Sequence, residues 1–305
     1  MSFGHIPDIG ARQLAAVLAV AEHRSFVAAA AELHMSQPAL TRTIKRVEDV
    51  LGVRLFERTT RSVRPPQAGR EFIAVAQRIT NDLKITARSM RELSDQQRGQ
   101  VIITAIMSVA NGVLPGAIAA YRRQRPGIEI HIRDGIHGSV IEDVKSGAAD
   151  FGINYLQDIP SGLTSKRLGR GSFDLVASRG SEIARSGVDR VRLEDLREVA
   201  LVSMPPDSQT RRVLDATAAA RGISLHHAVV VSQITTLLNF VRVGVGVGLV
   251  PSAMMTGGLG RDLIRLSLQD PAISLDIGIV RHAERPLSPA AEGLLQVFEE
   301  SWQTT

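Results

Sequence analysis

The stretch SFVAAAAELHMSQPALTRTIKRVEDVLGVRLFERTTRSVRPPQAGREF, residues 25–72, decides the fold of the N-terminal region. Within it Leu40, Ile44, Val47 and Leu51 recur at steps of four, three and four, so they form one stripe of a helix that must face a core. At about 100° per residue, Pro38, Thr41, Arg42, Lys45 and Asp49 project from the opposite side, with Gln37 and Arg46 on the flanks. Ser36 is placed to cap this helix, and Pro38 is tolerated in a first turn whose amides have no helical acceptor. Upstream, Ser25 can cap a short helix from Phe26 to Leu33, and Leu14, Val17, Leu18 and Ala21 mark a supporting helix between Ile9 and His23. Downstream, Val53, Phe56 and Val63 favour strands, and Arg54, Arg58, Arg61 and Arg64 surround Thr59, Thr60 and Ser62, which predicts a short two-stranded wing.

The outward face carries amide, hydroxyl, guanidinium and ammonium groups, the donors and acceptors that read base edges and hold phosphates in a major groove. A charged helix face alone is ordinarily solvated surface. The second basic cluster tips the reading toward a polyanion: residues 41–70 hold eight basic and three acidic groups, a net +5, which is the whole chain's excess. The expected unit is a winged helix-turn-helix on double-stranded DNA. Its candidate contacts are Ser25, Ser36, Gln37, Pro38, Thr41, Arg42, Lys45, Arg46, Arg58, Arg61 and Arg64.

At 305 residues the chain should hold more than one core, and 44% hydrophobic with 22% charged residues fits a globular protein. Without cysteine there is no disulfide or thiolate metal site. No apolar run has the length of a signal peptide or a membrane span, so the sequence reads as cytoplasmic, with no membrane partner.

Phe72, Ala76, Ile79, Leu83, Thr86, Met90 and Leu93 repeat at steps of four and three, a heptad pattern that suits a helix packed on a partner or on its own chain. Ser94 to Gly99 reads as a hinge. Beyond it, β-rich runs alternate with helical ones: strands at Val101–Ile106, Ile128–Arg133, Asp150–Ile153, Phe173–Ser178, Ala200–Met204, Ala228–Val231, Leu249–Val250, Leu263–Leu268 and Leu275–Val280. Helices follow at Val140–Ser146, Ser208–Arg221, Ile234–Val243 and Pro289–Ser301. The alternation predicts an α/β unit with a largely parallel sheet. Ligands of such sheets bind beyond the strands' carboxyl ends. That selects Ser108, Val109, Ala110 and Asn111 after a polar turn, Ile136 and His137, Met204, Pro205, Gln209 and Thr210, and Ser232, Ile234 and Thr235. Amides at helix starts favour anions, so a small organic acid leads as effector, although each hydroxyl alone is more often a simple cap.

Enzymatic readings find little support. Gly244, Gly246 and Gly248 do not complete a dinucleotide fingerprint, because Leu249 stands where its third glycine belongs. His226 and His227 on one strand would point to opposite faces, so no metal pair, and no cofactor, is expected. A solute-binding protein for transport would share the α/β unit but not the basic N-terminal module.

Residues 25–72 resemble the DNA-binding domain of the LysR-type transcriptional regulators, most closely at Ser36-Gln37-Pro38-Ala39-Leu40, from Glu48 to Leu51-Gly52, at Leu55-Phe56-Arg58 and at Ala68-Gly69-Arg70. Pro65-Pro66-Gln67 stands where the family has Leu-Thr-Pro. The later part is similar to the family's effector domain at Asp134-Gly135, Gly147 to Phe151 and Val243 to Pro251, although Ser178 to Ser181 replaces the usual His-Pro. The resemblance implies an all-α winged helix-turn-helix (residues 1–66), a linker and dimerisation helix with its hinge (67–97), and a periplasmic-binding-protein-like effector domain (98–305). The effector domain's first subdomain would span about 98–163 and 270–305, and its second about 164–269. It further implies pairing through Phe72, Ala76, Ile79, Leu83 and Met90, an inverted-repeat operator, a dimer or tetramer, and RNA polymerase as a further partner.

Overall fold

The computed structural model describes residues 7–58, 63–94, 99–185, 187, 189–255, 259–270 and 272–303. The chain divides near Arg91 into two compact units.

In the N-terminal unit three helices, α1 (Ala11–His23), α2 (Phe26–Glu32) and α3 (Gln37–Leu51), enclose one core. Leu40, Ile44 and Val47 of α3 are fully buried, with Val17, Val20, Ala29 and Leu55 around them. Full burial of each large apolar side chain stabilises by about 1.5–3 kcal/mol. Phe26 and Phe56 close the core edge to face at 6.1 Å. Gly52 ends α3 at φ 71°, a left-handed geometry that suits glycine. Glu48 then accepts hydrogen bonds from Leu55 N (2.8 Å) and Phe56 N (3.3 Å) and fixes the chain's exit into the wing. The wing is β1 (Glu57–Arg58) antiparallel to β2 (Val63–Arg64). Then α4 runs from Gln67 to Ser94, so the helix starts without the missing threonine. Gly69 is required there, since a Cβ would sit 2.2 Å from Leu55 O.

The C-terminal unit opens with β3 (Gly99–Ile106), α5 (Met107–Asn111), α6 (Leu114–Gln124), β4 (Ile128–Gly135), α7 (His137–Ser146) and β5 (Phe151–Tyr155). The long β6 (Leu163–Ser178) leads to α8 (Glu182–Arg185), β7 (Arg190–Arg192), β8 (Ala200–Ser203), α9 (Gln209–Ala219) and β9 (His226–Val230). The unit ends with α10 (Ile234–Arg242), β10 (Gly248–Pro251), β11 (Leu263–Gln269), β12 (Ser274–His282) and α11 (Pro289–Gln303).

Strand β3 is parallel to β4 and β5, but β12 is antiparallel to both β5 and β6, and β10 and β11 are antiparallel to β6. The sheet is therefore mixed, against the expectation of a largely parallel one, because β6 runs from one half of the unit into the other and β12 pairs antiparallel to its first part. Residues 163–172 of β6 pair with β12, and residues 173–178 pair with β10 and β11. The expected polar turn at Ser108–Asn111 is a helical turn, α5.

Candidate functional site

On α3 the residues opposite the buried stripe are solvent-facing: Gln37, Pro38, Arg42, Lys45, Arg46 and Asp49 are exposed and Thr41 is half-buried. The two serines cap helices, Ser25 Oγ accepting from Ala28 N at 3.3 Å and Ser36 Oγ from Ala39 N at 3.4 Å. Arg46 pairs with Asp8 at 3.1 Å, a contact that the helical pattern could not reveal because Asp8 lies outside it. Arg64 is exposed on the wing. Arg61 and the side chain of Arg58 lie outside the described residues.

Along α4 the heptad stripe divides. Phe72 packs against the N-terminal core and Ala76 is buried, whereas Ile79, Leu83 and Met90 remain exposed by about half of their surface.

In the C-terminal unit a cleft of about 50 Å³ gathers residues from four predicted loops: Ser108, Ile136 and His137, Met204, Gln209 and Thr210, and Ile234. Val109, Ala110, Asn111, Pro205, Ser232 and Thr235 are not in its lining, and Ser232 and Thr235 are solvent-exposed. Sequence reasoning missed Ile106, Met107, Gly135, Tyr155 and Pro251 of the same lining. Ser208, inside the candidate loop from Met204 to Thr210, lines it as the N-cap of α9 (Ser208 Oγ accepts from Arg211 N at 3.2 Å); Tyr155 and Pro251 close strands and carried no signal.

Two polar arrangements position the cleft. Asn154, fully buried, clamps His137: its Oδ1 lies 3.1 Å from His137 Nδ1, and its Nδ2 donates to His137 O at 3.1 Å. Burial lowers the pKa of His137 below 6.5, against the raising effect of Asn154 and Asp158. Tyr155 is pushed up to about 12, chiefly by burial and against the neighbouring Ser108 hydroxyl, so its phenol stays protonated. Ser108 Oγ is itself buried, facing the Tyr155 hydroxyl.

Ser203, His227 and Asp215 form a chain beside the cleft, with Ser203 Oγ 2.6 Å from His227 Nδ1 and His227 Nε2 3.1 Å from Asp215 Oδ1. Burial and Arg211 lower the pKa of His227 below 6.5, against Asp215. The order of groups is that of a hydrolase triad, but Ser203 is 6% exposed and the adjoining cavity holds only about 10 Å³, space for one water at most. The chain ties β8 and β9 to α9. Among the described residues no cluster of His, Asp or Glu could hold a metal ion, and no helix is long and apolar enough to cross a membrane.

Residues 11–70 match the family described as bacterial regulatory helix-turn-helix protein, lysR family, and residues 94–303 match the LysR substrate binding domain. The HTH-type transcriptional regulator YbhD of Escherichia coli (strain K12) is 29% identical over 287 residues, 94% of this chain and 90% of YbhD. Among solved structures, full-length CbnR complexed with its target DNA aligns with a TM-score of 0.71 at 22% identity, covering 96% of this chain and 100% of CbnR. The effector-binding domain of QuiR in complex with shikimate aligns with a TM-score of 0.61 at 17% identity, covering 68% of this chain and 98% of that domain. The chain belongs to the LysR family of DNA-binding transcriptional regulators, with a helix-turn-helix domain followed by an effector-binding domain.

Proposed function

We propose that this regulator lays α3 into the major groove of an inverted-repeat operator and responds to a small organic acid held in the cleft of its C-terminal unit. The observation that carries the first half is the exposed face of Gln37, Thr41, Arg42, Lys45 and Arg46 opposite the fully buried Leu40, Ile44 and Val47. Thr41 and Arg42 read base edges, while Lys45, Arg46, Arg58, Arg61, Arg64 and the capping serines Ser25 and Ser36 hold phosphate. The exposed Ile79, Leu83 and Met90 continue the heptad from Phe72 and Ala76, which supports pairing of two chains through α4. Two such dimers forming a tetramer, and RNA polymerase as a further contact, complete the assembly. A protein acting on chromosomal DNA works in the cytoplasm, and the regulator has no catalytic role. The domain boundaries are 1–66, 67–97 and 98–305, with β6 and the residues before β12 as the crossovers between subdomains.

For the effector, the converging Ser108, His137, Gln209 and Thr210 offer hydroxyl, imidazole and amide groups to a carboxylate. Shikimate, bound by the QuiR domain, is an organic acid, which supports that class. A cleft of about 50 Å³ is too small for such a ligand until the subdomains part, so effector binding and cleft opening are coupled, and the coupling moves the DNA-binding domains.

Footprinting tests the DNA half. Arg42→Ala and Thr41→Ala lower discrimination between operator and random duplex by about 1–3 kcal/mol, whereas Arg61→Ala weakens both. Equal footprints of wild type and Arg42→Ala on both duplexes refute the assignment. A thermal-shift panel of small organic acids tests the cleft, since a ligand of the folded state raises its melting temperature.

A further inference from the structure

The turn after β5 and the helix α9 meet beside the cleft through one pair of charges. Asp158 stands three residues beyond Tyr155, in a left-handed conformation (φ 53°) that aspartate tolerates, and the bond from Leu156 N to Asp276 O (2.9 Å) anchors the chain just before it. Arg212 lies three residues past Gln209 on α9, and therefore on the same helix face as that residue of the cleft's lining. Its Nη2 is 3.5 Å from Asp158 Oδ2. We propose that Asp158 is a built-in pseudo-ligand: its carboxylate occupies Arg212 in the effector-free state, and the carboxylate of an entering organic acid takes its place. The inference rests on the organic-acid reading of the cleft, and adds to it the residue that takes the acid's charge and the contact that competes for it.

An acid in the cleft needs a counter-charge that the lining does not supply. Among the described residues the lining contains no lysine or arginine, and His137 is neutral above its lowered pKa. Of the two neighbouring arginines of α9, Arg211 is committed inside the fold, with Nε 2.5 Å from Asp215 Oδ2 and its side chain 13% exposed. Among the described residues the only ion pair of Arg212 is the one with Asp158. That pair is loose. At 3.5 Å, with the two side chains 54% and 71% exposed, it contributes little in water, so another carboxylate can displace it. Both charges also reach the cleft. Burial acts most strongly on the pKa of His137 and the Asn154 hydrogen bond next, but Asp158 raises it and Arg212 lowers it, so an anion beside His137 lies within the field of both. Asp158 follows the half of the unit built on β3, β4 and β5, whereas Arg212 belongs to the half that holds β8 and β9. The exchange therefore also removes a contact between the halves, which links binding of the acid to opening of the cleft.

Ligand-observed NMR titration of the full-length protein with acetate, benzoate and succinate, and with acetamide, benzamide and succinamide as neutral counterparts, tests the exchange. Asp158→Asn should tighten binding of the acids by about two- to fivefold, the release of one exposed pair, and leave the amides unchanged. Arg212→Gln should weaken the acids about tenfold, the loss of a charge-assisted hydrogen bond. Both positions are exposed, so both variants should fold. In the double variant Asp158→Asn should bring no gain, since no Arg212 is left to release. A gain that survives there makes Asp158 a source of repulsion only and overturns the proposal. Equal affinities for the acids in wild type and both single variants overturn it alone and leave the cleft reading standing. Binding of none of the acids to wild type or to Asp158→Asn overturns that reading and the proposal together.

Discussion

The DNA-facing helix and the effector cleft gather their polar groups in opposite ways. Gln37, Thr41, Arg42, Lys45 and Arg46 stand on one helix, and their direction follows once Leu40, Ile44 and Val47 are assigned to the core. The cleft draws Ser108, His137, Tyr155, Gln209 and Ile234 from separate strands and helices that meet only when the whole unit folds. Recognition on a single helix is therefore legible in local periodicity and robust to changes elsewhere, whereas recognition in the cleft depends on long-range pairing and can be moved by it. A sensor needs the second property and an operator reader the first.

The largest effect that sharpens this contrast is expected at Ile44. Ile44→Ala leaves a cavity among Val17, Val20 and Leu55 and should cost the N-terminal unit about 2–5 kcal/mol. Operator binding should be lost, while a thermal shift produced by a cleft ligand should persist, since no residue of the cleft's lining belongs to that core. Calorimetry of the variant with and without ligand checks this. Loss of the ligand response together with DNA binding would show that the two units fold as one.

The same contrast governs what the sequence could reveal. The period of α3, its serine cap, the wing and most strands of the C-terminal unit were readable because each is set by local spacing. Residues 163–172 were not: LTSKRLGRGS shows no alternation, and it is held extended by pairing with β12 rather than by any preference of its own. The mixed sheet follows from that crossover, so it was equally hidden. Within the cleft, the loops were found by their place after strands, but Ser232 and Thr235 belong to a helix start whose side chains turn to solvent. Asp158 and Arg212 are far apart in sequence, and nothing local to either signals that they pair.

An intermediate effect is expected with pH, and it should reside in the C-terminal unit. The folded-state pKa values of His137 and His227 are lowered below 6.5, by burial in both cases. The unfolded chain therefore binds more protons as pH falls, so the stability these residues contribute is fully present above 6.5 and declines as pH drops through that value toward their folded-state pKa. Melting of the C-terminal unit should fall between about pH 7.5 and pH 5.5, and His227→Gln should flatten the slope. An identical slope in His227→Gln would remove His227 from the account and leave His137, whose position in the cleft would tie the acid sensitivity to effector binding.

The smallest effect concerns Asp8, an acid beside a basic face. Its pair with Arg46 is mostly exposed, at 65% for the arginine and 87% for the aspartate, so Asp8→Ala should leave the melting temperature unchanged. What it should change is DNA affinity, because Asp8 both occupies Arg46 and repels phosphate. Removing it should raise affinity for random duplex at low salt by less than about fivefold, and a released Arg46 that gains a phosphate contact should steepen the log–log salt slope by about 0.9. Anisotropy titrations over a potassium chloride series separate the cases. A steeper slope makes Arg46 a phosphate contact restrained by Asp8. Higher affinity at constant slope leaves only relief of repulsion. A fall in affinity would mean that Asp8 holds Arg46 in the orientation that DNA needs, and the face of α3 would then depend, like the cleft, on a residue outside its own helix.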